Sequence, residues 1–188
     1  MSFQVLSSVT PVTLADRVAN LEAALSAGQV PGLIGVHNYA AYNVPATLTS
    51  GTDTTGIANQ IWISEMRIDK NTLITGLSFL IGTVGGTDKA IAILYNAAGA
   101  ILATSAVAGV VVGTLATFQR LPLITPYQAA PGLYYVGIQT NGTTAHIRTQ
   151  GGGDHIAGIV TGQTFGTPTA IIPPTTFTAS SAPYVMTY

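Results

Sequence analysis

The stretch from Ile61 to Arg148 constrains the fold most, because it reads as one short β-prone run after another with turn residues between them. Its clearest unit joins the apolar runs 89–95 and 100–104 through Asn96-Ala-Ala-Gly99. A four-residue connection that contains Asn and Gly is typical of a β-hairpin built on a type I turn. The sequence therefore predicts a hairpin over residues 89–104.

A second hairpin is predicted where Asn141-Gly142 separates the runs 132–140 and 143–148. Asn-Gly between β-prone runs is the strongest short-range hairpin signal, because both residues tolerate positive φ. Within the first run, Tyr134 and Tyr135 fall on opposite faces. This alternation suits a strand with one buried and one partly exposed face.

Further β-prone runs complete the block. They are Gln60–Ile68, Leu73–Ile81, Thr117–Ile124, Ile156–Thr161 and Ala182–Tyr188. Pro122 is expected to confine its run to a sheet edge or a strand break, because proline cannot donate to the ladder. Short strands with frequent turn signals, and no long amphipathic helix between them, predict an all-β antiparallel fold: a β-sandwich, a jelly roll or a barrel.

The chain is expected to have three parts. Residues 1–30 form an N-terminal arm and a short coiled-coil helix, 31–59 a linker with room for one strand, and 60–188 the β domain. Within the linker, residues 44–59 are predicted to be a long loop. Asp69 and Asp88 are interpreted as solvated turn charges.

The N-terminal helix is predicted over residues 13–28. Thr13 is a suitable N-cap, and Gly28 and Pro31 end the helix. An apolar stripe follows the a/d spacing of a heptad repeat: Leu14, Val18, Leu21 and Leu25. The alternative interpretation is that this stripe packs on the chain's own sheet.

Arg17 and Glu22 flank part of this stripe. The order Arg, apolar, two free positions, apolar, Glu resembles the short trimer-specifying motif of coiled coils, in which the Arg pairs with the Glu of a neighbouring helix. The resemblance implies a homotrimer with Leu14, Arg17, Val18, Leu21, Glu22 and Leu25 at its interface. Helices this short are marginal alone, so the β domains must supply most of the contact.

Charge limits the classes of partner. Only 7% of the 188 residues are charged, the net charge is −1, and the basic residues are scattered, which disfavours nucleic acid. There are no cysteines, so disulfides and thiolate sites are excluded. No apolar run is long enough for a spanning helix, and the first residues lack the features of a signal peptide. We expect no membrane partner and synthesis in a cytoplasm without export.

The candidate ligand residues are His146, Arg148, Asp154 and His155. The two-residue period puts His146 and Arg148 on one face of a strand, and the Gly151–Gly153 loop can return the other two toward them. Such a set can bind a divalent metal, a sugar or a carboxylate. The alternative is an exposed hairpin tip.

Catalytic motifs are missing from the sequence. It contains no Gly-x-Ser-x-Gly elbow and no phosphate-binding loop. A glycan depolymerase would need two carboxylates across its substrate, and nothing favours a pair such as Glu65 with Asp88. We therefore expect no catalytic residues, no cofactor and no metal. The tyrosines and Trp62 offer either a sugar-stacking platform or core and interface anchors.

Three segments carry a resemblance to a known class of protein. Residues 75–82, 88–99 and 130–140 are similar to the jelly-roll domains of tailed-bacteriophage virion proteins: capsid decoration (cement) proteins, head fibres and tail-fibre heads. The similarity covers about residues 60–188 and is one of pattern. It implies a jelly-roll β-sandwich without enzymatic activity, exposed on a virus particle as a trimer.

The function expected from this resemblance is capsid decoration. A homotrimer would bind the major capsid protein of its own virion, after assembly in the host cytoplasm, and stabilise the head. The alternative is a tail- or head-fibre domain that binds a host surface glycan.

Overall fold

The computed structural model describes residues 51–113, 115–152 and 155–188. This part of the chain is all-β and contains no helix. Its strands are β1 Thr52–Thr55, β2 Gln60–Ile68, β3 Thr72–Leu80, β4 Lys89–Asn96, β5 Ile101–Thr104, β6 Val110–Val111, β7 Phe118–Ala129, β8 Gly132–Thr140, β9 His146–Gln150, β10 Ala157–Thr161, β11 Ala182–Pro183 and β12 Val185–Thr187.

The strands form three sheets, and every pairing between them is antiparallel. The largest sheet has the order β10-β2-β8-β4-β5, with β6 also paired to β4. A second sheet has the order β12-β3-β7, and a third has the order β1-β9-β11. The chain passes directly from β11 to β12, which links the two smaller sheets.

The three central strands of the six-stranded sheet, β2, β8 and β4, are largely buried on both faces. The inner face of this sheet contributes Trp62, Ala92 and Val136 to a core that also contains Phe79 of β3 and Ile147 of β9. Its outer face carries a second cluster: Ile61, Ile63, Ile91, Ile93, Tyr95 and Tyr135, with Ile171 packed over it. The expectation that β8 has a partly exposed face is therefore wrong, because Tyr135 on the outer face is only 3% exposed.

The first predicted hairpin is confirmed. β4 and β5 pair antiparallel, and their connection is closed by hydrogen bonds from Asn96 N–H to the Ala100 carbonyl and from Gly99 N–H to the Asn96 carbonyl, both 2.9 Å. The Asn96 side-chain oxygen also accepts from the Ala98 and Ala100 amides. Gly99 has φ +83°, which glycine adopts without strain.

The expected effect of Pro122 is also confirmed. β7 is the edge strand of its sheet, and its register against β3 shifts between the pairs Ile74↔Tyr127 and Gly76↔Pro122. The runs predicted at 60–68, 73–81, 156–161 and 182–188 correspond to β2, β3, β10 and the β11–β12 pair.

The second predicted hairpin is wrong. β8 pairs with β2 and β4, whereas β9 pairs with β1 and β11 in a different sheet. The reason is Asp88, whose carboxylate accepts hydrogen bonds from the Thr144 and Ala145 amides at 2.7 and 2.8 Å. Asn141 pairs with Lys89 through its backbone and side chain. These bonds direct the chain to the other sheet instead of back along β8.

Two smaller expectations are also corrected. Asp88 is not a solvated turn charge, because it is only 8% exposed and accepts two backbone hydrogen bonds. The loop predicted at 44–59 contains β1, which pairs with β9 over its four residues. The predicted helix at 13–28, with its interface residues, lies outside the described residues.

We predict that Asp88→Ala lowers the free energy of unfolding by about 2–3 kcal/mol, because the buried Ala145 amide and the partly buried Thr144 amide lose their shared carboxylate acceptor. Urea denaturation measures this change. Asp69→Ala is the matched control, since Asp69 is exposed in the turn before β3 and should leave the midpoint unchanged. Equal effects of the two substitutions would contradict the role assigned to Asp88.

Candidate functional site

Polar side chains of β1, β9 and the segment after β3 converge on Asp53. The β1–β9 register places Thr55 opposite His146 and Asp53 opposite Arg148. The Nδ1 of His146 donates to Asp53 Oδ2 at 2.7 Å, and the Nε2 of His146 shares a hydrogen bond of 3.2 Å with the Thr55 hydroxyl. The Arg148 Nε lies 3.8 Å from Asp53 Oδ1. We call Asp53, Thr55, Thr83, His146 and Arg148 the Asp53 cluster.

Thr83 ties this cluster to the segment after β3. Its amide donates to Asp53 Oδ1 at 2.8 Å, and its hydroxyl donates to Asp53 Oδ2. Gly82 makes this approach feasible, because a Cβ there would collide with the Asp53 carboxylate and the His146 side chain. Burial alone would raise the pKa of Asp53, but the hydrogen bonds from Thr83 and His146 outweigh it and hold the pKa below its usual value.

The sequence-predicted ligand residues are only partly brought together. His146 and Arg148 share the cluster as expected, but their carboxylate is Asp53. His155 instead lies against Phe177, with ring centroids 5.4 Å apart. Asp154 lies outside the described residues. Asp53 is 93 residues from His146 in the chain, so only knowledge of the β1–β9 pairing could have identified it.

The hydrogen-bonding capacity of the cluster is largely consumed internally. Both oxygens of Asp53 and both ring nitrogens of His146 have partners within it. In the neutral tautomer that keeps the proton on Nδ1, the Nε2 of His146 accepts from Thr55, which is the carboxylate–imidazole–hydroxyl order of hydrolases. Here, however, the Thr55 hydroxyl lies on β1, the strand that the hydrogen bonds of the Asp53 cluster hold in place. The arrangement is therefore suited to fixing β1 on β9 and on the segment after β3.

Metal binding and glycoside hydrolysis find little support in the described residues. They contain no group of three His, Asp or Glu side chains arranged to hold a metal ion. The Glu65 carboxylate accepts from the Ile156 amide at 2.9 Å and lies 3.5 Å from the Arg67 Nε. Because Asp88 is also engaged with backbone amides, this pair of acids does not form two carboxylates facing an open cleft.

A groove of about 390 Å³ lies between β5 and β7. Each is an end strand of its sheet, and one isolated bridge, Ser105↔Leu123, connects this edge of the two sheets. The groove is uncharged and mostly apolar; it is lined by Ile101, Leu102, Ala103, Thr104, Ile124, Thr125, Pro126 and Tyr127. Ile124 is 64% exposed at its rim, so the groove is a candidate contact surface.

Four aromatic residues in the described part of the chain favour the core interpretation over a sugar-stacking platform. Trp62, Tyr95, Tyr134 and Tyr135 are all buried. Tyr127, which lines the groove, is partly buried and packs edge-on against Tyr134 with ring centroids 6.4 Å apart.

Comparison with known proteins identifies no relative: no family model, curated protein or solved structure matches this chain. A search of the described residues for a helix of the length and apolarity needed to cross a membrane found none. The function is therefore inferred from the chain's own residues.

We predict that Asp53→Asn lowers the free energy of unfolding by about 1–2 kcal/mol near neutral pH, because the amide presents a donor to groups that donate to the carboxylate. The folded-state pKa of Asp53 lies below its usual value of 3.8. The stabilisation is therefore present above pH 3.8 and is lost as the pH falls through the lower folded-state pKa.

Urea titrations of both proteins across this pH range test the prediction. The difference between wild type and Asp53→Asn should persist above pH 3.8 and shrink below it. Asp69→Asn removes the same charge from an exposed turn and is the control. A difference that grows on acidification would contradict the assignment.

Proposed function

We propose that this chain is a non-enzymatic structural protein of a tailed-phage virion: a homotrimeric decoration protein with a jelly-roll β-sandwich that binds the major capsid protein and stabilises the head. The observation that carries the proposal is the uncharged groove between β5 and β7, on a chain with only 7% charged residues. Such a surface suits contact with other protein in an assembly, because burying it leaves no charge without a partner.

The three segments that resemble virion proteins support this proposal by their position. Residues 75–82 include most of β3, 88–99 include β4 with its turn, and 130–140 include β8. These strands supply much of the core shared by the largest sheet and its neighbour. The resemblance therefore concerns the framework of the β domain and not its loops.

The proposed mechanism is preferential binding to the assembled shell. A trimer that bridges neighbouring capsid subunits adds buried area across contacts that the pressure of the packaged genome strains. Because it binds the assembled shell better than free subunits, it shifts the equilibrium toward the intact head.

We propose that the trimer seam is the predicted helix, with Arg17 and Glu22 paired across it. Leu21→Asp should convert a particle of three times the 19.2 kDa chain mass into monomers, because it buries a charge in the seam. Multi-angle light scattering on the eluting protein measures the mass.

Ala19→Asp is the matched control, because it adds the same charge at a position outside the a/d stripe. Circular dichroism should show the same β content in both variants. A wild-type chain that elutes as a monomer, or a trimer that Leu21→Asp leaves intact, would contradict the seam.

Immunogold electron microscopy of intact phage tests the location. Dense label over the head, together with heads that lose DNA at lower temperature when the protein is missing, supports decoration. Label confined to the tail would instead favour a fibre domain.

The alternative, a fibre domain that binds a host glycan, has one favourable observation. Tyr127 lines the groove together with the hydroxyl-bearing Thr104 and Thr125, a combination of residue types that sugar sites use. Glycan-array binding that Tyr127→Ala abolishes would establish this alternative. Turnover of a host polysaccharide would overturn both readings in favour of an enzyme.

A further inference from the structure

Two buried polar side chains on the outer face of the six-stranded sheet lack hydrogen-bond partners. The Oε1 and Nε2 of Gln139 are both unpaired, and so is the hydroxyl of Tyr95. Both residues are 0% exposed. Buried polar groups without any partner are rare in folded proteins, and an ordered water is a common reason for an apparent exception.

The register places these two side chains on the same face of adjacent strands. Gln139 of β8 lies opposite Ile91 of β4, and Tyr95 lies opposite Tyr135, four residues before Gln139. The Tyr95 ring reaches the Gly137 position, which lies between Tyr135 and Gln139 on this face: its Cε2 is 3.0 Å from where a Cβ of Gly137 would be. The glycine thus leaves space for the ring between the two positions.

A small bridging molecule would supply the hydrogen bonds that the Gln139 amide and the Tyr95 hydroxyl lack. Gly137, whose open position the Tyr95 ring occupies, is about 7 Å from Gln139 along the strand, which is within the combined reach of the two side chains and one water. They do not meet in a direct hydrogen bond. Burial raises the pKa of Tyr95, so its hydroxyl stays protonated and can donate.

The surroundings would prevent such a molecule from exchanging quickly with solvent. Gln139 also lies opposite Ile61 of β2, which is fully buried. Val160, Phe165 and Ile171 pack against the same outer-face cluster. A site with several polar atoms and otherwise apolar walls is of the kind that holds an internal water.

We propose that the outer face of the six-stranded sheet contains a buried hydration site, in which water bridges the Gln139 side-chain amide and the Tyr95 hydroxyl. The ligand is water because the site offers both a donor and an acceptor amide atom and a hydroxyl, with no charge. The water belongs to the fold independently of whether the chain decorates a capsid.

A double-mutant cycle distinguishes a hydrated site from a dry one. In a hydrated site, Gln139→Met and Tyr95→Phe each remove one hydrogen bond to the water and disturb its bond to the remaining side chain. Each substitution therefore lowers the melting temperature. The double substitution should then change the unfolding equilibrium constant by less than the product of the two single-substitution changes, with a shortfall of about threefold or more. In a dry site each substitution removes an unsatisfied buried polar group, so the melting temperature rises and the proposal fails.

The same substitution at Gln128 is the control, because Gln128 is exposed on β7 and Gln128→Met should not shift the melting temperature. The wild-type protein provides a second test that does not depend on a variant. In a ¹⁵N-edited NMR experiment, the Gln139 side-chain amide, assigned by its disappearance in Gln139→Met, should show cross-relaxation with a long-lived water. A missing water signal, or destabilisation by the two substitutions without coupling, would overturn the shared site.

Discussion

The requirement to cover both faces of the six-stranded sheet governs this structure. A sheet with one solvated face can alternate apolar and polar residues, but β4 carries Ala90, Ile91, Ala92, Ile93 and Leu94, all of them fully buried. One face is covered by β3, β7, β9 and β12. The other is covered by residues from the segment after β10, including Phe165 and Ile171. That segment has little regular structure, yet without it Ile61, Ile93 and Tyr95 would face water.

Few charges take part in this arrangement, and most of the described acids hold distant segments together. Three of the four described carboxylates accept backbone amides: Asp53 from Thr83, Glu65 from Ile156 and Asp88 from Thr144 and Ala145. These bonds span 30, 91, 56 and 57 residues of sequence respectively. A carboxylate suits this role, because hydrogen bonds to an ionised acceptor are stronger than neutral ones.

The strands themselves could be predicted from the sequence, because their signals are local. The hairpin of β4 and β5 depends on Asn96 and Gly99, which act within their own turn. Asn141-Gly142 gives an equally strong local signal, but Asp88 determines where the chain goes next. Likewise, His146 and Arg148 could be placed on one strand face, whereas Asp53 could not be identified as their partner, because the pairing of strands far apart in the sequence leaves no local pattern.

The exposed surface of this chain is a better guide to function than the Asp53 cluster. The members of the Asp53 cluster hydrogen-bond mainly to one another, so these bonds contribute to stability. An open, mostly apolar groove remains at the edge formed by β5 and β7. Pro122 and Pro126 also remove backbone donors from β7 at this edge. Contact there would be driven by burial of apolar area and would change little with salt, since the groove carries no charge for ions to screen. Such attachment suits a partner that presents a fixed surface many times over, since repeated weak contacts add up through avidity.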